Sequence, residues 1–155
     1  MSQENVEIVR RMYEEGEAAY YGRIEALHEA VESGDFNEFM AATEQMIHPD
    51  FVLRTPEDSP FPEAGTGQWR GREGFLHFVS GQAESFDAMS LEPEEFIDAG
   101  DRVVVPLQFG GRARYTGIEV KFAAVHVVML RDAKLARLDI FMNRAEALEA
   151  AGLRK

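Results

Sequence analysis

Phe122-Ala123-Ala124-Val125-His126-Val127-Val128-Met129 is an almost unbroken apolar run with one histidine near its centre. β-branched valines favour an extended backbone, and a short apolar run between turn signals reads as a buried strand. The run lies within a longer segment, residues 119–130. Residues 102–114 are equally rich in β-branched side chains and reach it through Tyr115-Thr116-Gly117, so the two predict a long hairpin. Beyond it, Arg131-Asp132-Ala133-Lys134 predicts a second hairpin and residues 135–142 a last strand. Asn143 is placed to cap a short closing helix that runs through Ala151. Upstream, residues 91–97 read as a strand and Asp98-Ala99-Gly100-Asp101 as a tight turn. Residues 90–142 are therefore expected to form antiparallel sheet. Within it, residues 124, 126 and 128 share one face, because strand side chains alternate.

The first part of the chain has another period. Val6, Val9, Tyr13, Tyr20, Ile24, Leu27 and Val31 recur at steps that sum threes and fours, the stripe of an amphipathic helix. Gly16 and Gly22 are its weak points, each costing about 1 kcal/mol relative to alanine. Ser33-Gly34 ends it. Asp35 followed by Glu38 has the form of a capping box, opening a second helix that buries Phe36, Phe39, Met40, Thr43, Met46 and Ile47. His48-Pro49 stops that helix, with His48 as a cap. Residues 51–54 read as a short strand, and residues 55–68, with three prolines and two glycines, as a loop. Gly71-Arg72-Glu73-Gly74 leads into a third helix with Phe75, Phe78, Val79 and Phe86 on one stripe. Helices first and hairpins after argue an α+β fold, the helices covering one face of a curved antiparallel sheet.

A length of 155 residues fits one domain, 1–155. The chain has no cysteine, which excludes disulfides, thiolate metal sites and cysteine nucleophiles. The polar, acidic start Met1-Ser2-Gln3-Glu4-Asn5 lacks the apolar region of a secretory signal, and no apolar run is long enough to span a membrane. The reading is cytoplasmic. A net charge of −12, from 28 acidic against 16 basic side chains, argues against nucleic acid and membrane surfaces as partners. The carboxylates are scattered, as on a solvated surface.

Several segments together resemble the SnoaL-like branch of the NTF2-like superfamily. They are Glu7-Ile8-Val9-Arg10-Arg11-Met12-Tyr13, Ser33-Gly34-Asp35-Phe36, His48-Pro49-Asp50-Phe51 and Trp69-Arg70-Gly71-Arg72-Glu73-Gly74. Further along come Phe96-Ile97-Asp98-Ala99-Gly100-Asp101-Arg102-Val103, Leu130-Arg131-Asp132-Ala133-Lys134-Leu135 and Arg144-Ala145-Glu146-Ala147-Leu148. The resemblance implies a cone-shaped α+β barrel around one small-molecule pocket. The chain departs from it by about eighteen extra residues, roughly 15–32, which keep helical spacing. They predict a lengthened first helix or an added helical turn-back, narrowing the pocket mouth or extending a subunit interface. Relatives include polyketide cyclases, ketosteroid isomerases, epoxide hydrolases and dehydratases, which work with a carboxylate or histidine base in an apolar cavity.

By the family pattern the face carrying Ala124, His126 and Val128 looks into the cone, which makes His126 the candidate general base. A core histidine bonded to a neighbour is the competing reading. The aspartate that cyclases and epoxide hydrolases carry on the last strand falls at Ile140 here, beside Asp139. Alternation then sends Leu138, Ile140 and Met142 inward, whereas a slip of one residue would bring Asp139 in. Tyr13 and Tyr20, on the first helical stripe, are candidate oxyanion donors or core residues with rim hydroxyls. Arg54 and Trp69 flank the long loop at the expected mouth, the first able to pair with a carboxylate and the second to form a pocket wall. His28 and His77 have no partners in sequence, and no histidine pair has metal-ligand spacing. No glycine-rich phosphate loop or Gly-x-Ser-x-Gly elbow is present.

The reading is a protein that binds a small apolar molecule, with no cofactor and no metal. Its alternatives are a cofactor-independent isomerase, cyclase or hydratase using His126, or a dimeric assembly module. A homodimer is expected through the outer sheet face, with residues 103–109 and Phe141 supplying apolar surface.

Overall fold

The N-terminal stripe folds as two helices rather than one. The computed structural model describes residues 2–55 and 67–153. α1 spans Ser2–Ala19, a single 3₁₀ turn covers Tyr21–Arg23, and α2 spans Ile24–Ser33. The break falls at Gly22 rather than Gly16, so residues 15–32 take in the end of α1, the turn and most of α2. Gly34, at φ 78°, caps α2 by donating its N–H to the Ala30 carbonyl at 2.8 Å. Glycine enters this left-handed region without a Cβ penalty.

α3, Asn37–Met46, lacks the expected capping box. The Asp35 carboxylate accepts the Asn37 N–H at 3.0 Å, two residues on, and Glu38 pairs with Arg23 instead. β1, Ile47–Thr55, begins four residues before the expected strand. His48 is therefore a strand residue rather than a helix cap, its Nδ1 accepting the Asp50 N–H at 3.0 Å. Most of the loop expected over residues 55–68 lies outside the described residues. At Gly67 the chain is already β2, Gly67–Arg70, antiparallel to β1. α4 spans Gly71–Ser85 and leaves Phe86 to start β3, Phe86–Pro93, so that strand begins earlier than expected. A two-residue β4, Ile97–Asp98, follows.

The hairpins form where the turn chemistry places them. β5 (Arg102–Ala113), β6 (Glu119–Arg131) and β7 (Lys134–Phe141) are consecutive antiparallel neighbours, and α5 (Arg144–Ala150) closes the chain. Asn143 caps α5 by accepting the Glu146 N–H at 3.1 Å. The β6–β7 turn holds Asp132 and Ala133 at φ 55° and 61°, the signature of a two-residue hairpin turn with a twist matching its strands. Pro106 interrupts nothing. Its carbonyl faces the β3–β4 side of β5, accepting the Glu94 N–H at 2.8 Å. Its nitrogen, on that same side, sits where pairing passes from β3 to β4, so no ladder bond is lost.

The sheet order β2-β1-β7-β6-β5-β3 is curved and unclosed, with β4 paired to β5. One pair departs from the antiparallel expectation: β1 runs parallel to β7, with Leu53 beside Leu138. Alternation makes the two faces distinct. Val103, Val105, Leu107, Ala124, Val128 and Leu138 pack inward against Val6 and Val9 of α1 and against Phe51 and Leu53. A second inner layer joins Tyr20, Leu27, Phe39, Leu76 and Val79 of the helices. Each buried valine, leucine and phenylalanine among them contributes roughly 1.5–3 kcal/mol. On the other face Val104, Val125 and Val127 lie under Ala147 of α5 and Ala151, its C-cap. The apolar outer surface expected of residues 103–109 with Phe141 is thereby reduced. Val103, Val105 and Leu107 point inward, while Val104 and Phe141 pack with α5.

Candidate functional site

Between the inner sheet face and the helices lies a cavity of ≈ 160 Å³. Leu107, Phe109, Phe122, Ala124, Leu138 and Ile140 form much of its sheet wall. Met12 of α1, Tyr20 just beyond its end, Met46 of α3, and Phe75, Phe78 and Val79 of α4 stand opposite. Polar atoms come from Tyr13, Glu17, Tyr21, Thr55, Gln82 and His126. No lysine or arginine is among the described residues lining it, and those residues hold no cluster of three potential metal ligands.

His126 reaches the cavity because it shares the inward face of β6 with Ala124 and Val128. The side chain is only 7% exposed. Its Nδ1 lies 2.6 Å from the Tyr13 hydroxyl. Burial in apolar surroundings lowers the imidazole pKa from 6.5 to about 4, so the ring is neutral near pH 7. Burial, with a smaller repulsion from Tyr21, raises the Tyr13 phenol, which keeps its proton. A protonated phenol beside a neutral imidazole donates to it, the imidazole nitrogen being the stronger base. Nδ1 is then the acceptor and the ring hydrogen sits on Nε2. The opposite arrangement would leave both the phenol hydrogen and the basic nitrogen without partners. Among the described residues Nε2 has no protein partner.

The other two cavity tyrosines also spend their hydrogens on the protein. Thr43 donates to the Phe39 carbonyl at 2.7 Å, so Tyr20 donates to Thr43 Oγ1 at 2.5 Å. Tyr21 donates to Gln82 Oε1 at 2.8 Å. Burial raises the pKa of both, in Tyr21 with help from the neighbouring Glu17 charge. Glu17 accepts the Leu91 N–H at 3.3 Å. Burial raises its carboxyl, the Leu91 bond pulls it partly back, and Glu92 raises it again.

Of the residues singled out from sequence, Tyr13, Tyr20, His126, Val128, Leu138 and Ile140 line the cavity together. Arg54 and Trp69 do not. Alternation along β1 turns Leu53 and Thr55 to the cavity and leaves Arg54 exposed on the other face. Trp69 faces inward beside Leu53 but stands behind Phe78, its ring edge-on at 5.1 Å between centroids. Asp139 lies on the far face, its carboxylate bonded to the Arg137 guanidinium at 2.9 Å. Ile140 takes the inward place opposite His126. The sequence reading missed Glu17, Tyr21 and Gln82. Their signal was present for Glu17, which lies on the helical stripe of Tyr13, Gly16 and Tyr20 despite its charge. Of the other histidines, His28 donates from Nε2 to the Phe86 carbonyl at 2.9 Å.

A family model described as SnoaL-like domain matches residues 24–138. The match starts inside the segment read as an insertion and leaves out α1, which carries Tyr13 and Glu17. No curated protein matches the chain. Solved structures do. An NTF2-like protein of unknown function from Burkholderia pseudomallei is 23% identical over 94% of this chain and 95% of its own, at a TM-score of 0.61. A protein from Jannaschia provisionally described as a SnoaL-like polyketide cyclase is 19% identical over 99% and 94%, at 0.65. TerC, co-crystallized with polyporic acid, is 24% identical over 86% and 98%, at 0.56. These similarities concern the fold.

Proposed function

The chain belongs to the SnoaL-like domain family, and from that premise we propose that it binds a small, mainly apolar molecule in the cavity facing His126. One observation carries the reading: the ≈ 160 Å³ of empty space has walls of aliphatic and aromatic side chains and few polar atoms. Recognition sites for small molecules have this composition, and an empty apolar cavity of similar size is known to accept a single aromatic ring.

Thermal unfolding with ethylbenzene tests the proposal. At one hundred times its dissociation constant a ligand adds about 2.7 kcal/mol. Trp69 emission should respond as well, through its contact with Phe78. An unchanged melting curve with every single-ring hydrocarbon would refute the reading.

A catalytic reading, as a cofactor-independent isomerase, cyclase or hydratase, draws support from the Tyr13–His126 contact at 2.6 Å. It ranks second because a ring held near pKa 4 is a weak base. A homodimer is proposed separately on family likeness. Sedimentation equilibrium at micromolar concentration reads it directly, and a monomer refutes it.

A further inference from the structure

Resting on the binding reading, we propose that the ligand is a neutral, mainly apolar molecule whose carbonyl oxygen accepts a hydrogen from His126 Nε2, and that Tyr13 positions that hydrogen. All three phenol hydrogens at the cavity wall are given to protein acceptors: Tyr13 to His126, Tyr20 to Thr43 and Tyr21 to Gln82. What remains is the Nε2–H of a side chain 93% removed from solvent, and the amide hydrogens of Gln82, with no acceptor for either among the described residues. Both donors open on the cavity rather than into packed protein, so a ligand that fills it must offer them an acceptor or leave them unmet.

Charge narrows the class further. With no lysine or arginine in the described wall and Glu17 in it, a carboxylate or phosphate would enter against repulsion and without a counterion. A protonated amine could pair with Glu17, but it would leave the His126 hydrogen unmet and facing a cation. A carbonyl in an apolar frame satisfies the donor and needs no counterion.

Tyr13 acts through His126. Its hydroxyl, donating to Nδ1, disfavours the tautomer with hydrogen on that atom, so it selects a donor rather than a base at the cavity.

Nitrogen-15 NMR of the ligand-free protein should show His126 Nδ1 unprotonated and Nε2 protonated. In Tyr13→Phe the two tautomers should mix, a change that a merely structural tyrosine would not produce. Four probes on one ring then test the class: acetophenone, ethylbenzene, 1-phenylethylamine and benzoate. Acetophenone should bind about five-fold tighter than ethylbenzene, the size of one net hydrogen bond, and shift the Nε2 signal. Benzoate should not bind. The acetophenone margin should disappear in His126→Leu and shrink in Tyr13→Phe.

A protonated Nδ1, or a preference for the amine or for benzoate, overturns the proposal. Ethylbenzene binding with no gain for acetophenone overturns it too, and leaves the apolar-binding reading standing. If none of the four binds, both readings fall.

Discussion

Replacing His126 by glutamine should remove a specific share of the acid sensitivity of this fold. The folded ring has its pKa near 4, against 6.5 when free. Between those values the unfolded chain takes up a proton that the folded chain refuses, so falling pH favours unfolding. Above about pH 7 both forms are neutral and the contribution is flat. Below about pH 4 both are charged and nothing further is lost. Each pH unit in the window is worth about 1.4 kcal/mol. The penalty is therefore roughly 2 kcal/mol by pH 5 and about 3 kcal/mol by pH 4.

Glutamine does not titrate, and its amide oxygen can still accept the Tyr13 hydroxyl. Glu17 and the three tyrosines that share the cavity are present in both proteins, so subtracting the two pH profiles removes most of their effect. Urea unfolding at half-unit steps from pH 7.5 to pH 4.5 is the assay. The wild-type stability minus that of His126→Gln should stay level to about pH 7 and then fall. A difference flat across the whole range would mean that the folded ring protonates as readily as a free one. The enclosed placement argued for it would then be wrong.

Two further substitutions examine the scaffold. Ala133→Gly should stabilise the protein by roughly 0.5–1 kcal/mol in urea unfolding, because Ala133 sits at φ 61° with a Cβ that this region disfavours. Gly74→Ala should destabilise by about 1 kcal/mol or more, despite alanine's better helix propensity. Its Cβ would come within 2.9 Å of the Trp69 backbone, and the shift should show in Trp69 emission.

The hairpins were legible because two independent signals agree there. The alternation of residues 119–130 fixes which side chains share a face, and the turns at 115–117 and 131–134 fix where the strands meet. That agreement also places Ile140 rather than Asp139 across from His126. Local patterns failed where a distant partner decides. Ile47 and His48 continue the helical stripe of α3 in sequence, yet the parallel edge of β7 draws them into β1. Glu38 completes a capping box on paper, but Arg23, at the end of the 3₁₀ turn, takes its carboxylate. Glu17 was passed over because a charge on a helix usually faces water. Here the stripe it shares with Tyr13 and Tyr20 turns it to the cavity wall. Arg54 was assigned to the mouth from its nearness to a loop, whereas strand alternation, readable from Phe51 and Leu53, already turned it away.

Ligand recognition here depends on the imidazole of His126 meeting the bound molecule inside the sheet's concave face. Intermolecular nuclear Overhauser effects from bound ethylbenzene test this most directly. Cross-peaks to the carbon-bound protons of His126 and to the methyls of Leu138 and Ile140 are the expected result. Cross-peaks confined to Tyr115 and Ile118, the large apolar side chains exposed among the described residues, would contradict it.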